Sequence, residues 1–564
     1  MGGKDSRKSL IKSTEIRKIG NGLLLQKNRE SYRKVLSLYT KSIAYAPLDS
    51  EELAQAYGNR SALWLHLHKY ELCLSDIHKA LDITKSNDLI QKLLNRKKEC
   101  HNHLPSPAED SIQEEVNSPK VTPSKSGFCS ADSITMKCDE KYGRHYVATR
   151  DIKPGEIIVS EQTPYASIDI DQMYLICSHC LAFAWAGIPC DTCVFTIYCS
   201  NRCREDAWTQ YHDILCIMLS DDTFHDRIIG YELERELQNP SVENASHSFY
   251  MTLLRMIIII IKKDGLDNVI RAAEEFDKTY GVSEMRSDFQ ATSSCANFEF
   301  VYNLTTSKRN FDDSVTNLAP ILLPALSESL NVLPDKYNDA FTNVLRKLFK
   351  ICMANSLRFS AHDCVCKDAE KDDCISNRGD ILAPCSALFN CSCDNNVDRI
   401  FVPGPRVILL TNRPIKKGEQ LFITYGPCGS MKKVVRQALL KLLHSFTCEC
   451  EPCIDDWPER LDERVTDAGL TRVTSEHYKL LGGDGIKLVE APMNFSQRVF
   501  DTSLKMIEYV FENFQLVEAT GLAHLYQRYV TRYLYHLHGE DVDLHHMNSI
   551  YMIAKKSLNT LNNS

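Results

Sequence analysis

Eight residues with metal-ligand chemistry crowd into forty positions: Cys177-x2-Cys180, Cys190-x2-Cys193, Cys199-x3-Cys203 and His212-x3-Cys216. A CxxC turn brings two thiolates to one ion. On a helix, Cys199 with Cys203 and His212 with Cys216 stand one turn apart on one face. Eight such ligands make two closed tetrahedral zinc shells. With no position left open for water, these zincs are expected to be structural and not catalytic. So small a module is not expected to hold together without its metals. Scattered core cysteines would have to fall at all of these spacings by chance. A third group, Cys448-x-Cys450-x2-Cys453, is one ligand short of a tetrahedral shell. A distant residue must complete it, and spacing alone does not name that residue.

These clusters need elements to hold them. Upstream, Tyr146 to Thr149 and Ile157 to Glu161 read as short strands around the Pro154-Gly155 turn. Residues from about 220 to 350 read as mainly helical. Strand signals return at Arg399 to Val402 and Arg406 to Thr411, joined across Pro403-Gly404-Pro405. The end of the chain, from about 458, reads as helical, with Val499, Phe500, Leu504, Ile507, Phe511 and Phe514 forming a core face. At the front, two helical hairpins are legible. Gly20-Asn21 opens the first, and Tyr57 to Ala62 lies inside the second. Tyr32 and Tyr70 precede the second helix of each, and a further helix near Leu89 to Glu99 closes the set. This resembles tetratricopeptide repeats with irregular spacing. An unrelated helical bundle is the alternative. The Pro-, Ser-, Glu- and Lys-rich stretch that follows reads as a linker, in which Ser118-Pro119 and Thr122-Pro123 fit phosphorylation sites.

The chain of 564 residues predicts three to four domains at roughly 150 residues each. Its net charge of −8 argues against electrostatic coating of nucleic acid. Residues 1–100 carry 19 basic and 11 acidic side chains, a net of +8, which leaves −16 for the remainder. The most apolar run, Met251 to Ile261, contains Arg255 and is too short for a span of about twenty residues. No signal-peptide pattern opens the chain. The 23 cysteines are therefore expected to be metal ligands or reduced thiols, in a cytoplasmic protein with the nucleus as a second compartment.

Zinc-type spacing between strand-rich halves, taken with the residues on either side, resembles the SET-and-MYND protein-lysine methyltransferases, in the subgroup with N-terminal tetratricopeptide repeats. The matching residues are Gly143-Arg144-His145, Thr149 to Glu156, Asn355-Ser356, Phe389 to Asp394, Gly418 to Gly426, and Cys448 to Cys453 as a post-SET motif. The resemblance covers about residues 140–455. It implies that Cys177, Cys180, Cys199 and Cys203 share one zinc, while Cys190, Cys193, His212 and Cys216 share another. It also implies Cys393 as the fourth ligand of the third zinc, for three ions in all. The activity it implies is methyl transfer from S-adenosylmethionine to a lysine of a protein substrate, histone or not. Tyr425 would be the catalytic tyrosine at the end of the lysine channel. Arg144, Asn355, Asn390, Cys391 and Phe446 would surround the cofactor, Phe446 stacking on adenine.

Two departures stand out. The family's Gly-x-Gly turn is Gly143-Arg144-His145 here, and its Asn-His-Ser-Cys is Asn390-Cys391-Ser392-Cys393. If the replaced residues act through backbone groups, catalysis survives. If they do not, the chain is a SET-fold adaptor that recruits partners or corepressors through its MYND and repeat surfaces.

The expected fold class is a multidomain α+β chain built on a split SET β-fold. Its parts are tetratricopeptide-like repeats over 1–102, a linker over 103–137, the first SET part over 138–170 and the MYND finger over 171–216. A helical insert over 217–345, the second SET part over 346–430, the post-SET segment over 431–457 and a helical domain over 458–564 complete it. Arg17, Asn21, Asn59, Lys92 and Arg96 resemble the two-carboxylate clamp by which some tetratricopeptide domains bind the acidic tails of heat-shock chaperones. The alternative is ordinary solvated charge. Gly2, within Met1 to Ser6, fits a myristoylation pattern.

Overall fold

The computed structural model describes residues 8–25, 31–104, 128–130, 133–220, 247–280, 298–308, 319–330, 338–362, 375–402, 404–426, 431–458, 461–481 and 497–538. Gly2, Ser118, Thr122, Cys364, Cys366 and Cys374 lie outside these residues.

Five helices open the chain: α1 (Leu10–Leu25), α2 (Ser31–Tyr45), α3 (Glu51–His66), α4 (Tyr70–Ile83) and α5 (Asn87–His103). Ser50 and Ser86 cap α3 and α5, each accepting a backbone N–H with its side chain and so satisfying a donor the helix cannot. Tyr32 and Tyr70 fall in the first turns of α2 and α4. The helices pack as α1 on α2 and α3 on α4, with α5 against both members of the second pair. Gly20 permits the first pairing, because a Cβ there would lie 2.7 Å from the Tyr39 ring. Between α3 and α4, Arg60 donates from two nitrogens to the carboxylate of Asp76, and both side chains are fully buried.

The stretch expected as linker is shorter than 103–137. Strand β1 (Phe128–Ser130) pairs antiparallel with β4 (Ile157–Gln162), and β2 (Ile134–Asp139) pairs with β3 (Gly143–Ala148). β1 is only three residues long, and β2 keeps most of its residues outside the core, so neither carries a clear apolar alternation. The main sheet runs β1-β4-β12-β11, with β11 (Val397–Val402) and β12 (Arg406–Thr411) forming a hairpin where the sequence places one. A second sheet joins β5 (Ala166–Ile168), β9 (Ile375–Leu382) and β8 (Ser356–His362). Gly379 allows β9 to meet β5, since a Cβ there would sit 1.8 Å from the carbonyl oxygen of Ser167. Finally, β10 (Asn390–Cys391) lies parallel to β13 (Phe422–Ile423), bringing together segments about thirty residues apart.

The cysteine-rich module leaves the chain after β5. It holds β6 (Ile188–Pro189), β7 (Ile197–Tyr198), α6 (Asn201–Ala207) and α7 (Asp213–Leu219). The described part of the insert is helical: α8 (His247–Asp264), α9 (Leu266–Tyr280), α10 (Phe298–Tyr302), α11 (Ala319–Leu330) and α12 (Asn338–Asn355). The apolar run from Met251 is the buried centre of α8, and no described helix is long and apolar enough to cross a membrane. After β13 come α13 (Lys433–His444), α14 (Glu451–Ile454), α15 (Asp467–Leu481), α16 (Gln497–Asn513) and α17 (Leu516–His538). Phe500 and Ile507 of α16 join Ile400, Ile408 and Leu410 of the main sheet in one core. Phe514 instead packs in a separate cluster around Met506 and Val510.

Candidate metal centres and active site

The ligand residues fall into three groups of four, in each of which the ligand atoms lie within 4.8 Å of one another. The groups are Cys177, Cys180, Cys199 and Cys203; Cys190, Cys193, His212 and Cys216; and Cys393, Cys448, Cys450 and Cys453. The first two interleave along the chain, and Cys393 lies with the three cysteines of the third. Zinc–sulfur bonds of about 2.3 Å at tetrahedral angles put sulfurs about 3.8 Å apart. The observed separations are 3.6 Å for Cys199–Cys203, 3.8 Å for Cys190–Cys216 and 3.9 Å for Cys393–Cys448.

The donor chemistry fits a cation. Hydrogen bonds from neighbouring thiols pull Cys190 and Cys450 far below the usual thiol range. The same contacts push their partners Cys216 and Cys393 far above it. A divalent ion removes that conflict by stabilising all the thiolates together. With closed shells, the ion would supply structure and no open coordination position.

Buried arginines and a half-buried lysine lie around these groups. Lys8 donates to the carbonyls of Ala44 and Cys190, at 2.9 and 3.0 Å, beside the second group. Arg436, buried on α13, donates to the Pro452 carbonyl and approaches the Cys453 sulfur at 3.5 Å. Arg255 of α8 donates to the carbonyls of Ser178 and His179, and Arg378 of β9 to that of Leu181, so both grip the first CxxC turn. From the other side, Arg60 reaches the Gly187 carbonyl at 3.1 Å, and Trp64 meets Trp185 edge-on. The cysteine-rich module thus contacts the N-terminal helices on one side and α8 and β9 on the other.

The third group stands beside Tyr425. That tyrosine follows β13, and its hydroxyl donates to the Phe389 carbonyl at 2.8 Å. Burial raises its pKa well above the ordinary phenol value, so it remains a protonated donor at neutral pH. Phe446 meets the Tyr425 ring edge-on at 6.4 Å, and His444 lies against it at 4.9 Å. Cys391, Tyr425 and Phe446 all pack on the thiols of the third group, together with Leu440. Burial pushes the Cys391 thiol up to about 11, which leaves it neutral at pH 7.

The remaining expected cofactor residues bond to other segments. Asn390 donates to the Tyr142 carbonyl at 2.9 Å, in the β2–β3 turn whose end is Gly143, with φ +61°. Arg144, buried on β3, donates to the Asn303 carbonyl. Asn355, closing α12, donates to the Thr305 carbonyl at 2.7 Å. Both converge on residues 303–305, which no sequence motif marked. Arg399, donating to the Thr424 carbonyl, also escaped notice, as did His444 and Arg436. Each is a lone polar residue within an element, with no spacing to announce it.

A family model of the SET domain matches residues 143–426. The chain is 22% identical over 532 residues to "Protein-lysine N-methyltransferase SMYD4" of Pongo abelii, an alignment covering 75% of this chain and 65% of that protein. It is 23% identical over 559 residues to the Homo sapiens protein of the same name, covering 80% and 67%. Against "Histone-lysine N-methyltransferase SMYD3" of Mus musculus it is 22% identical over 313 residues, covering 54% and 58%. The chain thus spans no more than about two thirds of the length of these relatives. With the family model covering half of its residues, and with its split strands arranged around Tyr425, the chain belongs to the SET domain family.

Proposed function

We propose that this chain is a protein-lysine N-methyltransferase that uses S-adenosylmethionine. The observation that carries the reading is Tyr425, its ring held against His444 and Phe446, its hydroxyl a part-buried neutral donor to Phe389, and a zinc-type thiol group beside it. When bound, the cofactor supplies the electrophilic methyl group. Arg144, Asn355 and Asn390 would hold its polar parts, Cys391 would line the site, and Phe446 would stack on its adenine.

The rest is the work of the chain's own residues. A lysine of reference pKa near 10.4 is neutral about one time in a thousand at pH 7.4, so the attacking amine costs about 4 kcal/mol to generate. Enclosure by Tyr425, Phe446 and Cys391 excludes water and disfavours the ammonium. The Tyr425 hydroxyl, anchored to Phe389, orients the amine. Both departures from the family pattern leave backbone groups in place. His145 lies in β3, paired with Lys137 of β2, and Cys391 pairs with Ile423. That favours the enzyme over the adaptor reading. Transfer of tritiated methyl from S-adenosylmethionine to core histones or to a proteome-derived peptide array tests it. Label should appear with wild type and fall with Tyr425→Phe. Equal labelling by both would sink the assignment.

The finer architecture belongs to the same proposal. Residues 171–216 form a MYND finger, residues 1–102 form tetratricopeptide-like repeats, and the protein works in the cytoplasm, with the nucleus as a second compartment. The repeats also support a chaperone-tail clamp. Asn21 accepts from Asn59 at 2.7 Å and from the Tyr39 hydroxyl at 2.9 Å, which links α1 to α3, while Lys92 is exposed on α5. Arg96 already braces α3 through the Gly58 carbonyl and Ser61, so Arg96→Ala would disturb packing as well as binding. Lys92→Glu is the cleaner substitution. It should abolish binding of an acidic chaperone carboxyl-terminal peptide, and unchanged binding would remove the clamp.

A further inference from the structure

Glu161 lies on β4 of the main sheet, with 3% of its surface exposed. An apolar residue would fill that place without the desolvation that a buried carboxylate suffers. Here one distant segment satisfies the charge. One carboxylate oxygen accepts the backbone N–H of Cys385 at 2.9 Å. The other accepts the backbone N–H of Ser386 at 2.9 Å and its hydroxyl at 2.8 Å. Three donors converge on one carboxylate, all from residues 224 and 225 positions further along the chain.

The segment gripped in this way leads to Tyr425. Ser386 opens a single 3-10 turn, Ser386–Leu388, and its carbonyl accepts the Phe389 N–H at 3.3 Å. The Phe389 carbonyl accepts the Tyr425 hydroxyl at 2.8 Å. A hydrogen-bonded path therefore runs from the Glu161 carboxylate through Ser386 and Phe389 to the tyrosine. It is braced from the side, since the buried rings of Tyr146 and Phe389 lie 4.6 Å apart. The next residue, Asn390, has separate supports in the Tyr142 carbonyl and in β13. The direction of the Phe389 carbonyl has a chemical consequence. A tyrosine whose hydrogen is committed to it has only lone pairs left for a lysine amine. The amine then turns an N–H toward Tyr425 and keeps its own lone pair free for the methyl group.

We propose that Glu161 is a positioning residue for Tyr425: by fixing Ser386 it fixes the Phe389 carbonyl, and through that carbonyl the direction of the tyrosine hydroxyl. The catalytic consequence rests on the methyltransferase reading, whereas the coupling rests on the hydrogen bonds alone. Glu161→Gln keeps the volume and sets an amide NH2 group against backbone N–H donors, which breaks one side of the grip.

The test is a double-mutant cycle of Glu161→Gln and Tyr425→Phe in the full-length, zinc-loaded protein, read by methyl transfer to the best-labelled peptide of the array. Glu161→Gln alone should lower kcat about tenfold. Peptide KM, S-adenosylmethionine affinity and zinc content should stay as in the wild type. Added to Tyr425→Phe, the same substitution should leave kcat unchanged, because no hydroxyl remains to be aimed. Multiplicative losses would overturn the proposal, since a residue that only holds the fold lowers both backgrounds alike. A wild-type kcat in Glu161→Gln would overturn it too. Should Glu161→Gln lose its cooperative melt, Ser386→Ala takes its place in the cycle, with a smaller loss and the same non-additivity. Failure of the methyltransferase reading is distinguishable. If the wild type transfers no methyl group, meta-fluorotyrosine placed at position 425 alone reads the coupling. Its fluorine resonance should shift on Glu161→Gln, and an unmoved resonance would overturn the coupling itself.

Discussion

The two ligand groups of the cysteine-rich module and the third group beside Tyr425 have similar donors and different origins. The module's eight ligands come from one stretch of forty residues, whereas the third group joins Cys393 to cysteines 55 to 60 positions further on. A local group fastens its own loops. A long-range group fastens one part of the chain to another, and here it ties the β10 strand to the segment carrying Phe446. The first two centres are therefore expected to control folding of the module and what docks on it. The third is expected to control the active site.

Breaking the module should give the largest effect. Structural zinc in small modules is worth about 10–16 kcal/mol of apparent binding free energy. Cys190→Ser should therefore drop zinc from three ions per chain to two or fewer. It should also loosen the N-terminal helices, which reach the module through Lys8 and Arg60. Native mass spectrometry and limited trypsin digestion read both effects. Retention of three zincs would contradict the grouping. On the other side of the comparison, Cys450→Ser should remove a single zinc and leave the module intact. Methyl transfer should fall more than about 100-fold, because Phe446 and Tyr425 lose their backing. A variant with two zincs and full activity would separate the third centre from the cleft.

Tyr425→Phe sharpens the contrast by leaving all three centres alone. Loss of one positioned hydroxyl in catalysis costs about 100-fold in kcat, with melting temperature and cofactor affinity unchanged. The smallest effect is expected from Arg436→Met, which removes a buried cation that bonds the Cys453 sulfur while leaving all four ligands in place. Outer-shell losses of this kind weaken metal affinity about tenfold or more. A chelator competition assay should show that loss at one zinc only.

Legibility in the sequence follows the same division. The ligands of the module were plain because spacing within a few residues is itself the chemistry. The hairpin of Arg399–Val402 and Arg406–Thr411 was plain because a Pro-Gly-Pro turn separates two apolar runs. Cys393 and Tyr425 needed the family resemblance, since nothing local distinguishes them from other buried cysteines and tyrosines. Strand β1 and most of β2 fall inside the stretch that reads as linker, because three residues are too few for a periodicity and a mostly exposed strand need not alternate. The convergence of Arg144 and Asn355 on residues 303–305 was hidden because tertiary contacts across 159 and 50 positions have no one-dimensional pattern.

The most direct test of the central claim is calorimetric titration of S-adenosylmethionine into the zinc-loaded protein, beside Cys450→Ser. The account predicts one site per chain in the wild type and a marked loss of affinity in the variant. No heat up to about millimolar cofactor, a binding free energy weaker than roughly −4 kcal/mol, would contradict it and leave Tyr425 a feature of the fold without a reaction to serve.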